Sequence, residues 1–545
     1  MNKKTRIAFL SLFVMLLSTK VCSASAEGPS LNLAPLSPAF VEYAGDPETW
    51  KGLPPSPVDL RRPYVKPLSP DNRVSARGAG LPRKFDLRIL GYVTPAKDQG
   101  NGNDCWAYTA TGSMESTYLR KTGKALDLSE KHLSWFAYSS GQNAFTGDAS
   151  GGGFDNNSVA LLARWIGPVL ESATSGKYRL SEDEADYPAI LHLENAYFLG
   201  LEFIDDGDLY LKPDDDTKKR LVYENGAISA GMYSGGLNTN SRYYDKLNSA
   251  WFYNGEKRHP DHSVLIVGWD DDYPRTNFSA QNQPYGDGAW LIKNSWGSTF
   301  GQNGYFWISY EDVSFVDGVL FLAGEAGNYD KNYGYDGLGW CMSSGVGAGE
   351  TAWLSNVFRS TEEENIEAVS FYATSNRTAY EIYIYTKLAD ASDPRSGTLV
   401  SKKSGTLDLA GYHTVPLQEA AAPLIPGTSF SVVVKVTTPG YAYPAAVETR
   451  IEGYSDNAII EPGVSFISAD GDLWGDAAEK GANVCVRAFT SKEKPGGDDG
   501  KGGEDSNPGG EAASGGGCTT GAALLLAPLL AAVFLWKGPL GITQK

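Results

Sequence analysis

The chain has 545 residues, which is too long for one hydrophobic core and predicts two or more folded domains. Its 47 basic and 65 acidic residues give a net charge of −18, which disfavours nucleic acid as a partner because phosphate binding needs concentrated positive charge. Five scattered cysteines and five histidines form no CxxC pair and no HExxH motif, so we predict no metal site and no cofactor.

Residues 1–26 have the pattern of a secretory signal peptide. Basic residues precede an apolar run over 7–17, and small residues at 24–26 offer a cleavage site. The run is shorter than the ~20 residues that a membrane-spanning helix needs. A lipoprotein site at Cys22 is a weaker alternative, because the Lys-Val pair before it differs from the small residues that such sites use.

Residues 27–80 contain many prolines and little periodicity, which is typical of an extended leader or pro-segment. Helical and strand patterns then alternate over 81–325. Helices are predicted at 107–121, from Ser129-Glu130 onward, and at 157–166, and strands at 227–232, 263–269, 289–293 and 304–309. A helix-rich half followed by a strand-rich half predicts an α+β domain with two lobes and a cleft between them.

Residues 329–490 contain short alternating segments between turn residues. The predicted strands include 368–373, 380–386, 430–437 and 483–489, separated by Gly, Pro, Asn and Asp. This pattern predicts an all-β, antiparallel sandwich domain.

The C-terminal segment has a different composition. Residues 491–517 are rich in Gly and Asp and almost free of apolar residues, which predicts a flexible linker. Residues 518–545 begin with Cys518 and hold an apolar stretch over 521–536. This segment resembles bacterial glycine-cysteine sorting tails, and a plain transmembrane helix anchor is the alternative. Both interpretations predict an extracytoplasmic protein that is secreted and tethered to the membrane or cell surface.

The remaining cysteines pose a question of pairing. In an oxidising compartment Cys341 and Cys485 are candidates for a disulfide, which leaves Cys105 as the odd thiol. Cys105 lies at the start of a predicted helix, where the helix dipole and free N–H groups favour a thiolate. Gln99 lies on the preceding Gly-rich loop, so its amide and the Cys105 N–H could form an oxyanion hole.

A base for this thiol is predicted at His262. It stands at the mouth of an apolar strand, and Asn294 is placed after another strand, where it could fix the imidazole tautomer. Trp296 follows and could shield that contact from water, and it is also predicted to be a substrate-binding residue. His259 is a weaker candidate for the base, because it precedes a proline and belongs to no apolar strand.

These blocks resemble the papain-like cysteine peptidases of clan CA. The matching segments are 99–106, 261–263 with its strand, and 293–297 with 301–305. The resemblance implies a two-lobed α+β peptidase fold over 81–325, protein or peptide substrates, and the order Gln99, Cys105, His262, Asn294 as oxyanion donor, nucleophile, base and orienting residue.

Further site residues follow only from the resemblance. Gly152 and Gly153 match the glycine segment that pairs with the substrate backbone, and Ser263 and Gly231 match the pocket for the side chain two residues before the scissile bond. Family members usually favour an apolar or aromatic side chain there. At Gly102 the family usually has a cysteine in a disulfide, so the cleft floor lacks that bond.

Several alternatives remain open. Cys105 could be an inert buried thiol, 151–153 a flexible loop, and the acidic runs at 214–216 and 270–272 calcium ligands rather than solvated turns. The sandwich resembles lectin-like domains of bacterial surface proteins, which suggests a carbohydrate ligand by analogy. The favoured function is an exported cysteine endopeptidase. A non-catalytic adhesin, or an acyl transferase or transpeptidase with the same triad, is the alternative.

Overall fold

The computed structural model describes residues 29–47, 53–60, 62–63, 80–139, 141–148, 151–177, 179–199, 202–203, 215–237, 241–256, 258–347, 349–417 and 422–492. The predicted signal peptide, the sorting tail and nearly all of the linker lie outside these residues. Among the described helices, none is long and apolar enough to cross a membrane.

The first lobe is built around one long helix, Cys105–Thr122, which we call the cleft helix. Gly123 ends it in the left-handed conformation at φ +73°, and Ser129 caps the next helix by accepting from His132 N–H at 3.2 Å. Both features agree with the prediction. The helices are Pro38–Gly45, Cys105–Thr122, Glu130–Tyr138, Asp155–Ala163, Glu171–Thr174 and Asp215–Glu224.

The third helix differs from its prediction at both ends. It begins at Asp155 rather than at 157, and it ends at Ala163 rather than at 166. The early end has a backbone reason, because Trp165 has φ +66°, which an α-helix cannot include.

The second lobe is an eight-stranded sheet with its own hydrophobic core. Its central strand, His262–Asp270, pairs antiparallel with Ile228–Met232, Ala289–Lys293 and Lys84–Asp86. The four strands predicted for this lobe are confirmed with shifts of at most one residue at either end. The strands are Lys84–Asp86, Ile228–Met232, Tyr244–Asp245, Ala250–Trp251, His262–Asp270, Ala289–Lys293, Tyr305–Ser309 and Val316–Asp317.

The β domain that follows contains a seven-stranded and a six-stranded antiparallel sheet, with a smaller four-stranded sheet beside them. The predicted strand over 483–489 is two strands, because the chain passes from the four-stranded to the seven-stranded sheet at Cys485. The strands are Lys331–Tyr333, Met342–Val346, Thr351–Arg359, Glu364–Ala373, Thr378–Thr386, Thr398–Leu407, Ala410–Pro416, Ala422–Leu424, Ser429–Thr437, Ala445–Thr449, Ser465–Ser468, Gly475–Asp476, Ala482–Val484 and Val486–Ser491.

Two strands from the peptidase region join this β domain. Leu191–Phe198 pairs with both Val319–Glu325 and Ala410–Pro416, so that the seven-stranded sheet extends beneath the first lobe. Neither Leu191–Phe198 nor Val319–Glu325 is among the strands predicted from the sequence. One hydrophobic core therefore runs from the cleft helix into the sandwich.

The described part of the leader packs against both regions. Leu31–Leu33 adds an antiparallel strand to Met342–Val346, and Arg62–Pro63 pairs in parallel with Glu202–Phe203. Phe40, only 2 % exposed, packs its ring 6.0 Å from that of Tyr454. The described part of the leader is therefore more ordered than its proline content predicts, because apolar side chains such as Phe40 and Val58 are buried.

The candidate disulfide between Cys341 and Cys485 is not formed. Both thiols are free and buried. The strand Ala445–Thr449 separates them, since Cys341 N–H donates to Val447 O at 3.1 Å and Cys485 N–H to Ala446 O at 3.2 Å. Two strand spacings amount to about 9.6 Å, beyond the ~7 Å limit between the Cα atoms of a disulfide.

Candidate active site

Cys105 is the first residue of the cleft helix, at the boundary between the two lobes. Its side chain is 1 % exposed, and the N–H of Ser263 from the second lobe donates to Sγ at 3.4 Å. The thiol thus lies beside the residue that directly follows His262.

His262 and Asn294 come from neighbouring strands of the second lobe. The imidazole Nε2 lies 2.7 Å from Asn294 Oδ1, which also accepts from Ser295 N–H at 2.8 Å. Because Oδ1 is an acceptor in both contacts, Nε2 carries the proton and Nδ1 is left to accept one. The Trp296 ring stacks on the imidazole with centroids 4.8 Å apart.

Gln99 is held at the same cleft by both its backbone and its amide. Its N–H donates to Ser295 O at 2.8 Å, and its Oε1 accepts from the Ser295 hydroxyl. Its Nε2 donates to Gly102 O at 2.6 Å, which uses one of the two amide hydrogens. The four residues predicted for the chemistry therefore converge.

Burial is the largest influence on the pKa values of Cys105 and His262. It raises the pKa of the Cys105 thiol to about 12, with a further contribution from the carboxyl of Asp104. It lowers the pKa of His262 to about 4, opposed by the hydrogen bond to Asn294. Burial thus disfavours the charged form of both groups, and at Cys105 it opposes the thiolate that the start of the helix is expected to favour.

The glycine segment lies against the residue that follows the nucleophile. A Cβ atom on Gly153 would lie 2.6 Å from the Trp106 ring, so that only glycine allows this approach. The carbonyl of Gly152 accepts from Tyr138 OH at 2.6 Å. These contacts bring 152–153 close to Cys105.

The structure bears on two alternatives from the sequence, calcium ligands at 270–272 and His259 as the base. Asp270, Asp271 and Asp272 each form an ion pair with a basic side chain rather than a shared cluster. His259 pairs with Glu42 of the leader at 3.3 Å, and it is His262 that contacts Asn294.

A buried ionic cluster lies behind the site and was not anticipated from the sequence. Lys97 Nζ lies 3.0 Å from Glu115, 2.8 Å from Glu130 and 2.7 Å from Asp127. Burial raises the pKa of Glu130 to about 7 even with this cation beside it. A cavity of about 20 Å³, enough for one water, separates the cluster from Asn294.

Comparison with known families agrees with this arrangement. Residues 81–316 match the family described as papain family cysteine protease, and residues 332–490 match the lectin like domain family. The chain contains a papain-like cysteine peptidase domain followed by a lectin-like domain. These two matches confirm the predicted fold class, a papain-like domain followed by an all-β domain.

Individual relatives cover the two domains to different extents. Cathepsin F of Drosophila melanogaster is 30% identical over 235 residues, 43% of this chain and 34% of that protein. Procathepsin L of Felis catus is 31% identical over 230 residues, 41% of this chain and 60% of that protein. The chain thus spans less than two thirds of the length of these relatives.

Solved structures extend the similarity to both domains. The cysteine protease and lectin-like domains of Cwp84, a surface layer associated protein of Clostridium difficile, cover 87% of this chain and 100% of that one, with a TM-score of 0.70 and 24% identity. The same clostridial protease after propeptide cleavage covers 75% of this chain and 99% of that one, with a TM-score of 0.63 and 26% identity. The shared fold therefore includes the lectin-like domain.

Proposed function

We propose that the protein is an exported cysteine endopeptidase with Cys105 as nucleophile. The observation that carries the proposal is the convergence, across one cleft, of the Cys105 thiol and an imidazole that Asn294 holds through Nε2. The tautomer leaves Nδ1 of His262 as the acceptor for the thiol proton.

The reaction follows from these positions. His262 takes the Cys105 proton, the thiolate attacks the peptide carbonyl carbon, and the carbonyl electrons move onto oxygen. Gln99 offers its second amide hydrogen, and Cys105 its backbone N–H, to the oxyanion. Collapse expels the amine with a proton from His262, and water activated by the same imidazole then hydrolyses the thioester.

Asn294 and Trp296 support this chemistry without touching the substrate. The Asn294 carboxamide keeps the imidazole in one tautomer, and the stacked Trp296 ring limits the access of water to that hydrogen bond. Both are therefore positioning residues. Gly152 and Gly153 supply backbone beside the nucleophile for an extended substrate.

Labelling with a thiol-directed epoxide tests the nucleophile. The wild type without its leader, in a chain beginning at Leu81, should take up one equivalent, and the same chain with Cys105→Ala should take up none. Cys341→Ala is the matched control, because its thiol is free, buried and of raised pKa, and it should leave labelling unchanged. Absence of wild-type labelling would favour the non-catalytic adhesin.

Product analysis separates hydrolysis from acyl transfer. Mass spectrometry of cleavage products from a peptide library, with Cys105→Ala as the control, should show free carboxyl termini. An added amine acceptor should not be incorporated. Dominant amide products would instead support the transferase or transpeptidase alternative.

The leader is proposed to inhibit the peptidase until it is removed. Leu53 Cδ2 would lie 3.3 Å from a Cβ atom on Gly231, one of the residues proposed for the substrate pocket. Displacing the leader would admit water and reduce the burial that keeps Cys105 and His262 neutral. A chain beginning at Leu81 should therefore outpace the full-length chain, and equal rates would reject the proposal.

Export, surface attachment and sugar binding complete the proposal. The clostridial protein Cwp84 is surface layer associated, and the composition of residues 1–26 and 518–545 supports a similar location for this chain. The lectin-like domain is proposed to bind a carbohydrate. Fractionation of cells that express wild type or Cys518→Ala tests the tether, and a glycan array probed with Cys105→Ala tests the ligand.

A further inference from the structure

The proposed substrate pocket lies between two paired strands. Gly231 is opposite Ser263 in the antiparallel register, and Val316 is opposite Gly231 on its other side. A Cβ atom on Gly231 would lie 3.0 Å from Pro260 Cβ and 3.0 Å from Val316 Cγ2. The walls at this level are therefore apolar.

The carboxylate of Asp155 lies beside Ser229, which is on the same strand as Gly231. Ser229 Oγ donates to Asp155, with distances of 3.0 Å to Oδ1 and 3.3 Å to Oδ2. Ser229 also lies 3.3 Å from the hydroxyl of Ser263. Because Ser229 and Gly231 are two residues apart on one strand, their side-chain positions share a face and are separated by about 7 Å.

Asp155 lacks a counter-charge within the described part of the chain. Ser229 is its hydrogen-bond partner there, and no cation contributes to its environment. Burial raises the pKa of its carboxyl to about 7, opposed only by the Ser229 hydrogen bond. The residue is nevertheless partly exposed. A Cβ atom on Gly318 would lie 2.9 Å from Oδ2 and 2.6 Å from Ser229 O, so that glycine allows the backbone at 318 to pack against the carboxylate.

We infer that Asp155 is a specificity-determining residue that makes this pocket accept a lysine or arginine side chain of the substrate, two residues before the scissile bond. The inference rests on the proposed function and deepens it. Leu53 of the leader occupies part of the space beside Gly231. With the leader displaced, the aliphatic stem would pass Val316 and Pro260, and the cationic head would reach the carboxylate beside Ser229, whose position lies about 7 Å from Gly231 along the strand. This differs from the apolar preference that the family resemblance implies.

The expected preference for a cationic side chain follows from the carboxylate of Asp155, which has no counter-charge among the described residues. A cationic head would supply the missing charge, whereas a leucine would bury the carboxylate further without a partner. Hydrogen bonds to charged groups correspond to about 10- to 100-fold in selectivity.

Internal competition between two peptides that differ only in this residue, Lys against Leu, is the test. The full-length wild type should cleave the Lys peptide with at least about tenfold higher kcat/KM. Asp155→Asn keeps the shape and should lose the preference, and Asp155→Leu should reverse it. Glu182→Gln removes an exposed acid from the same lobe and is the matched control, with the ratio unchanged.

Because both peptides compete for the same enzyme, the ratio of their kcat/KM values does not depend on the fraction of enzyme that is folded or on the fraction whose leader is displaced. A wild type that prefers Leu, or an unchanged ratio in Asp155→Asn, would overturn the inference. If neither the full-length chain nor a chain beginning at Leu81 cleaves either peptide, the proposed function fails, and binding of the same two peptides to Cys105→Ala in the chain beginning at Leu81 decides the pocket separately. Tighter binding of the Lys peptide that Asp155→Asn abolishes supports the inference, and equal binding overturns it.

Discussion

The buried ionic cluster behind the active site offers a direct test of how the peptidase domain is held together. Lys97 neutralises Glu115 and Glu130, whose side chains are only 1% and 5% exposed, and it also donates to Leu128 O at 2.7 Å. Lys97→Met keeps much of the volume but removes the cation that is hydrogen-bonded to both carboxylates, and Lys293 remains as a second buried cation near them. Removing one partner of a buried ion pair costs about 3–5 kcal/mol, and we expect this loss in the free energy of unfolding.

Urea unfolding followed by tryptophan fluorescence measures the loss. All variants carry Cys105→Ala, so that self-digestion cannot contribute. The matched control is Arg83→Met, which breaks an ion pair with Asp272 in which both side chains are largely exposed, and which should cost at most about 1 kcal/mol. If Lys97→Met were no more destabilising than Arg83→Met, the cluster would not be what stabilises the domain.

Three further predictions concern individual residues. Asn294→Ala should lower kcat/KM about 100-fold in enzyme counted by epoxide titration, because the imidazole loses its orientation; an unchanged value would contradict the assigned geometry. Burial raises the pKa of Glu448 from 4.5 to about 8, so its protonation favours the folded state and its contribution to stability is lost as pH rises through this window. Urea midpoints give the difference in stability between the wild type and Glu448→Gln. This difference should therefore decrease as the pH rises from 4.5 to 8, and a difference that does not change with pH would refute the assignment. Because Cys341 and Cys485 are unpaired, reductant should leave the free energy of unfolding unchanged; a loss of about 2–4 kcal/mol would reveal a disulfide.

Local patterns in the sequence were sufficient for the elements that place the site. Gly123 and Ser129 mark helix ends because their effects are local to one turn. The apolar run after His262 predicts a buried strand, and the order of Cys105, His262 and Asn294 predicts their convergence through family resemblance. In the structure His262 contacts Asn294, and Cys105 contacts Ser263, the residue that follows His262.

Local sequence patterns do not predict which distant strands pair with each other. Leu191–Phe198 gains its neighbours from residues more than a hundred positions away, so its own sequence does not specify the sheet that it joins. Asp155 precedes an ordinary helical segment predicted from the sequence, and only the packing of this helix start against the strand Ile228–Met232 brings its carboxylate beside Ser229. Burial, which sets the pKa values of Cys105 and His262, is likewise a property of the folded chain.

The lectin-like domain shares one hydrophobic core with the lobe that contains the cleft helix. Leu191–Phe198 lies in the seven-stranded sheet between Val319–Glu325 and the lectin-like strand Ala410–Pro416, and the cleft helix contributes to the same hydrophobic core. Separating the domains would expose that sheet edge and the apolar side chains beneath it, which costs free energy in proportion to the area exposed. The lectin-like domain is therefore a structural part of the lobe that carries Cys105, because the two share a sheet and a hydrophobic core.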